Sequence, residues 1–142
     1  MNGTFLKKAI DYCEKNKHRL TSPRINVLKI ICNSKQPIKA YDILRELGNI
    51  IKKPNPPTAY RAIDFWKKHN FIHRIESLNA YCICEANHLH SGGQFMICND
   101  CGEVIETHLC KLPEVLKNTI QKNMFTLTNW NLEINGICKK CS

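Results

Sequence analysis

Phe71-Ile72-His73-Arg74-Ile75 and Ala80-Tyr81-Cys82-Ile83-Cys84, joined by Ser77-Leu78-Asn79, carry the change of period on which the fold turns. Both runs read with a period of two, as strands, and the segment between them reads as a turn. Everything upstream reads as helix. Phe5, Leu6, Ala9, Ile10 and Cys13 recur at helical spacing over residues 5–15. In Thr21-Ser22-Pro23, Ser22 is a natural N-cap and Pro23 suits the first helical position, opening a helix to about Cys32. Residues 39–48 form a third helix, with Ile43, Leu44 and Leu47 inward and Gly48 as its C-cap. Pro54-Asn55-Pro56-Pro57-Thr58 is a turn and a helix start, and the fourth helix runs to about His69, burying Ala62, Ile63 and Trp66. Helices closed by a β-hairpin predict a winged helix-turn-helix, whose last helix usually reads a major groove.

Beyond the hairpin the pattern is α+β. It reads as a strand (94–98), a Cys-x-x-Cys knuckle, a strand (103–108), a helix (112–123), a strand (126–134) and a second knuckle. The expected organisation is a winged-helix domain over 1–84, a polar hinge loop over 85–93 and a small C-terminal domain over 94–142.

Composition narrows the class. The chain has 142 residues and a formal net charge of +9. No apolar run approaches the roughly 18 residues of a membrane span. Asp11 and Glu14 stand where a signal peptide needs an apolar stretch. A cytoplasmic protein that does not engage membranes is expected. The charge is lopsided: residues 1–75 carry a net +11 and residues 76–142 a net −2. A basic N-terminal half points to a polyanionic partner, or to a solvated face that keeps the chain soluble.

Nine cysteines are many for a chain without a secretory signal, and metal binding explains them better than disulfides. Cys98-Asn99-Asp100-Cys101 and Cys138-Lys139-Lys140-Cys141 supply four thiolates, the number that tetrahedral zinc takes. With no open coordination position, such a site is structural and not catalytic. Its knuckles are separated by 36 residues, so the ion would tie the end of the C-terminal domain back to its start. Cys13 and Cys32 fall at apolar helical positions and read as core, and Cys110 reads as packing.

A second constellation gathers His73, Cys84, His88, His90 and Glu106, the donor mix that a borderline cation prefers. Cys82 and Cys84 share a strand face, so either could be the thiolate ligand. A third is Thr58-Ala59-Tyr60-Arg61 at the start of the fourth helix. Hydroxyls at a helix N-terminus can grip phosphate, Arg can read guanine, and Tyr can meet a thymine methyl. Arg24, Lys52, Lys53, Lys67 and Lys68 supply charge for a phosphate backbone. Enzyme signatures are missing: there is no Gly-x-Ser-x-Gly elbow, phosphate loop, dinucleotide fingerprint or zinc-deaminase pair. No enzyme and no small-molecule substrate are expected.

Pro56-Pro57-Thr58-Ala59-Tyr60-Arg61-Ala62-Ile63-Asp64-Phe65, then Phe71 to Ser77, then Phe95-Met96-Ile97-Cys98-Asn99-Asp100-Cys101-Gly102 resemble the ferric uptake regulator family, and within it the zinc uptake branch. The resemblance spans roughly residues 4–141. It implies a homodimer with N-terminal winged helices and a C-terminal dimerisation domain, binding double-stranded DNA as a zinc-responsive repressor of zinc uptake genes at AT-rich palindromes. It implies two Zn2+ per chain. Cys98, Cys101, Cys138 and Cys141 match the structural ligands; His73, Cys84 and Glu106 match the regulatory ones. The fourth regulatory ligand is a His before the first knuckle. His90 lies eight residues before Cys98, where the pattern places it seven and Ser91 stands, so His90 is preferred to His88. Tyr41 and Arg61 match base-contacting positions, and Tyr60 matches the tyrosine of the recognition helix. Two other cues fit the same fold: an Fe2+- or peroxide-sensing regulator, or a constitutive nucleic-acid-binding module with structural zinc alone.

Overall fold

The computed structural model describes residues 2–84, 92–107 and 111–142. The chain divides into two compact units, Met1–Glu85 and Ala86–Ser142. The fold is α+β, a winged helix-turn-helix followed by a small α/β unit.

In the first unit α1 (Asn2–Lys15), α2 (Ser22–Asn33), α3 (Ala40–Gly48) and α4 (Pro56–Lys68) surround one core. Trp66, Leu28, Ile31, Ile43, Leu47, Ile63 and Ile72 are all but completely buried in it. Burying a Leu or Ile side chain contributes about 1.5–3 kcal/mol, so these residues hold the helices together. The cap of α2 is Thr21 and not Ser22: the Thr21 hydroxyl accepts from the Arg24 N–H at 3.4 Å, with Ser22 already in the first turn. Pro23 still falls in that turn, where its missing N–H costs nothing. Gly48 is the last residue of α3, and Asn49 is the cap, in right-handed helical backbone that needs no glycine.

The wing is β2 (Ile72–Ile75) and β3 (Ala80–Ile83), with a short 3-10 turn at Glu76–Leu78. Asn79 closes that turn at φ 47°, a left-handed conformation that asparagine tolerates better than most residues. A two-residue strand, β1 (Ile38–Lys39), pairs antiparallel with β3 and completes a sheet in the order β1-β3-β2. Its shortness hides it from any periodicity argument.

The second unit holds β4 (Gly92–Cys98), β5 (Val104–Thr107), α5 (Glu114–Lys122) and β6 (Trp130–Gly136) in a sheet ordered β5-β4-β6. β6 starts four residues later than its sequence pattern suggests. β4 and β5 form an antiparallel hairpin. β4 and β6 run parallel, with Met96 opposite Ile134 and Cys98 opposite Gly136. The connection through α5 makes this possible, because parallel neighbours need a crossover. Phe95 and Ile97 are buried, whereas Met96, Ile105 and Ile134 lie in one row across the sheet and are exposed.

Candidate metal centres and nucleic-acid interface

The parallel register assembles the first centre. β4 ends at Cys98 and β6 ends at Gly136, side by side, so both knuckles leave the sheet at the same end. The Asn99 N–H donates to the Gly136 carbonyl at 2.8 Å, and the Cys98 N–H to the Glu103 carbonyl at 2.9 Å. Gly102 turns the first knuckle at φ 74°, where a side chain would be strained. The four sulfurs of Cys98, Cys101, Cys138 and Cys141 lie within 4.8 Å of one another, and Cys101 Sγ is 3.7 Å from Cys138 Sγ. A tetrahedron with zinc–sulfur bonds of about 2.3 Å has edges of about 3.8 Å, so the spacing fits Zn2+.

The local electrostatics fit as well. Backbone N–H groups of Cys101 and Cys138 point at the Cys98 sulfur and bring its thiol down to about 6. The Cys141 thiol, sharing hydrogen bonds with Cys138 and Cys101, is pushed up to about 12. One thiolate forms readily and the last resists, the behaviour of a cluster that needs a cation to ionise in full. Lys140 pairs with Glu103 at 3.3 Å beside the knuckles.

The second constellation starts in the wing. His73 lies opposite Cys82. The Cys84 N–H donates to the Phe71 carbonyl at 2.9 Å, so the ladder continues one pair beyond β3. Opposed residues share a face, and alternate residues along a strand do too. His73, Cys82 and Cys84 therefore occupy one face of the hairpin. The ligand atoms of His73 and Cys84 lie within 4.8 Å, with Cys84 buried and His73 half-buried. Cys82 is half-buried on the same face. Glu106 belongs to the second unit, half-buried on β5 opposite Phe95. His88, His90 and Cys110 lie outside the described residues.

The third constellation is the exposed end of α4. Asn55 caps this helix, and its Oδ1 accepts from both the N–H and the hydroxyl of Thr58. The Thr58 hydroxyl is thus committed to the cap. Tyr60 and Arg61 are exposed, and Tyr41 on α3 is 73% exposed. Arg24 is placed differently. It is half-buried, its guanidinium stacks on Phe65 and donates to the Arg19 carbonyl, and its own carbonyl accepts from Trp66. The sequence signals overlooked here were Asn55 before Pro56, a capping pattern, and Phe65-Trp66, an aromatic pair at core spacing.

Residues 15–135 match the model of the ferric uptake regulator family. The chain belongs to this family. It is 33% identical over 138 residues to the zinc uptake regulation protein of Escherichia coli (strain K12), covering 96% of this chain and 80% of that protein. A solved zinc uptake regulator complexed with zinc and DNA superposes with a TM-score of 0.91 at 30% identity, covering 99% of this chain and 95% of that one. The structure of holo XcZur gives 0.85 at 31% identity, covering 99% and 98%. Among the described residues no helix is long and apolar enough to cross a membrane.

Proposed function

We propose that this chain is a zinc-responsive transcriptional repressor that binds palindromic, AT-rich operators of zinc uptake genes as a homodimer in the cytoplasm. The observation that carries the reading is the wing of the DNA-binding unit. It sets an imidazole and a buried thiol, His73 and Cys84, within 4.8 Å on one face of a hairpin next to the recognition helix. A metal-ligand pair in that place couples metal to DNA. Sulfur in the donor set favours Zn2+ over Fe2+.

The reading assigns two zinc ions per chain. Cys98, Cys101, Cys138 and Cys141 hold the structural ion. His73 and Cys84 of the wing, with Glu106 of β5 and His90, hold the regulatory one. Bound there, zinc supplies a cross-link between ligands of the two units and so favours one arrangement of them. A ligand moves such an equilibrium only by its differential affinity for the arrangements. The residues 1–84 form the winged-helix domain, 85–93 the hinge, and 94–142 the dimerisation domain. The exposed row of Met96, Ile105 and Ile134 gives the second copy an apolar face to cover. Tyr41, Tyr60 and Arg61 read bases, and the capped N-terminus of α4 at Thr58 meets phosphate. No catalytic role is assigned to any residue.

The test is fluorescence anisotropy of an AT-rich palindromic duplex across buffered free Zn2+, with Fe2+ run anaerobically beside it. Affinity rising with Zn2+ supports the reading. A response restored by Fe2+ alone, or binding indifferent to both metals, overturns it in favour of an iron sensor or a constitutive module.

A further inference from the structure

We propose that Arg24 is a positioning residue for DNA recognition, acting through the roll of α4 and not through a phosphate contact. The inference rests on the DNA-binding reading above.

Arg24 sits on α2 and holds two successive residues of α4 by different means. Its guanidinium carbon lies 3.9 Å from the centroid of the Phe65 ring. Its backbone carbonyl accepts from Trp66 Nε1 at 2.7 Å. The two rings are themselves 4.9 Å apart at 74°, edge to face. Nη1 is turned toward the Arg19 carbonyl, which fixes the guanidinium over the ring.

Neighbouring residues on a helix point about 100° apart. Fastening both Phe65 and Trp66 therefore fixes rotation as well as height. Arg61 precedes Phe65 by one helical turn and lies on the same side of α4. A roll of about 20° moves a side-chain tip by about 2 Å. That displacement exceeds the tolerance of a bidentate contact to a base. Arg24 thus adds to the core packing of α4 a contact that sets where Tyr60 and Arg61 point, without touching DNA.

A phosphate contact and a positioning role differ in salt dependence. Each phosphate contact contributes about 0.9 to the slope of log affinity against log salt, so a dimer using Arg24 in both protomers would lose about 2 on its removal. The experiment compares the full-length, zinc-loaded chain with Arg24→Ala, Arg24→Met and Phe65→Leu on one palindromic duplex over a salt series. Arg24→Ala, which removes the stack on Phe65 and keeps the backbone bond to Trp66, is expected to weaken binding about tenfold with the slope unchanged. Phe65→Leu, which keeps the charge and removes the ring, is expected to weaken binding likewise, again without a change of slope. Arg24→Met, which replaces the cation by a thioether against the same ring, is expected to recover part of the affinity. A slope lowered by about 2 in Arg24→Ala, or parental affinity in Phe65→Leu, overturns the proposal. Should Arg24→Ala fail to fold by circular dichroism, Phe65→Leu and Arg24→Met decide alone. A parent chain that binds no duplex refutes the DNA-binding reading itself, an outcome separate from these.

Discussion

Cys98 on β4 stands opposite Gly136 on β6, and two residues later the Cys138 N–H donates to the Cys98 sulfur at 3.3 Å. Strand pairing and metal-ligand geometry are thus one feature of the second unit. Zinc at four thiolates is worth about 10–16 kcal/mol in small zinc-binding peptides, as much as the about 5–15 kcal/mol by which whole domains are stable. Cys101→Ser should release one zinc per chain and abolish the cooperative melting of this unit. Trp130 fluorescence follows that unit, and Trp66 reports the other. A variant that keeps its zinc and melts like the parent would contradict the assignment.

Cys84→Ser should behave differently. It removes one of the proposed wing ligands and leaves the four-cysteine cluster intact. The chain should stay folded, retain one zinc and lose about 100-fold in zinc-dependent DNA affinity, about 2.7 kcal/mol of coupling. Metal analysis and anisotropy on one preparation check both halves. Cys82→Ser, run beside it, should respond normally if Cys84 is the ligand.

Arg61→Ala tests base reading. Loss of a bidentate contact costs about 1–3 kcal/mol and relaxes preference at a single base pair. Competition between duplexes differing at one position should show that flattening. A uniform loss across all duplexes would instead identify Arg61 as a phosphate contact.

Acid should loosen the first unit. His69 is half-buried, its Nδ1 lies 2.9 Å from the Tyr12 hydroxyl, and its ring is 4.5 Å from that of His18. Burial, followed by the charges of His18, Lys68 and Arg24, holds its pKa below the ordinary histidine value. The unfolded chain therefore binds the proton more readily than the folded one. The contribution to stability is complete above about pH 6.5 and is lost as pH falls below it toward the folded value. Urea unfolding followed by Trp66 fluorescence, in a Cys84→Ser background that removes a proposed metal ligand, should show a falling midpoint between pH 7.5 and 5.5. His69→Gln, which can still accept from Tyr12 and cannot be charged, should reduce that fall. Equal falls in both would dismiss His69 as the cause.

The parts legible in the sequence are those with local causes. The fourth helix follows from Pro56-Pro57 and its apolar spacing, the wing from a period of two, and the first centre from paired knuckles. What stayed hidden depends on partners distant in sequence. β1 is two residues long and exists because β3 offers it an edge. Thr21 and Ser22 are both good caps, and only the backbone turn decides between them. The stacking of the Arg24 guanidinium on Phe65, about forty residues on, has no local signal either. Likewise, no spacing rule shows that His73 and Cys84 lie on a diagonal of one hairpin face. His90, the fourth ligand that the reading assigns, falls outside the described residues.

The parallel pairing of β4 with β6 also sets the order of assembly. During synthesis Cys98 and Cys101 leave the ribosome ahead of Cys138, with 36 residues between the two knuckles. Until α5 and β6 have followed, the nascent unit holds only the first of the two knuckles, a weak and exchangeable grip. The centre can therefore close only when the second knuckle arrives, at the end of that unit's synthesis.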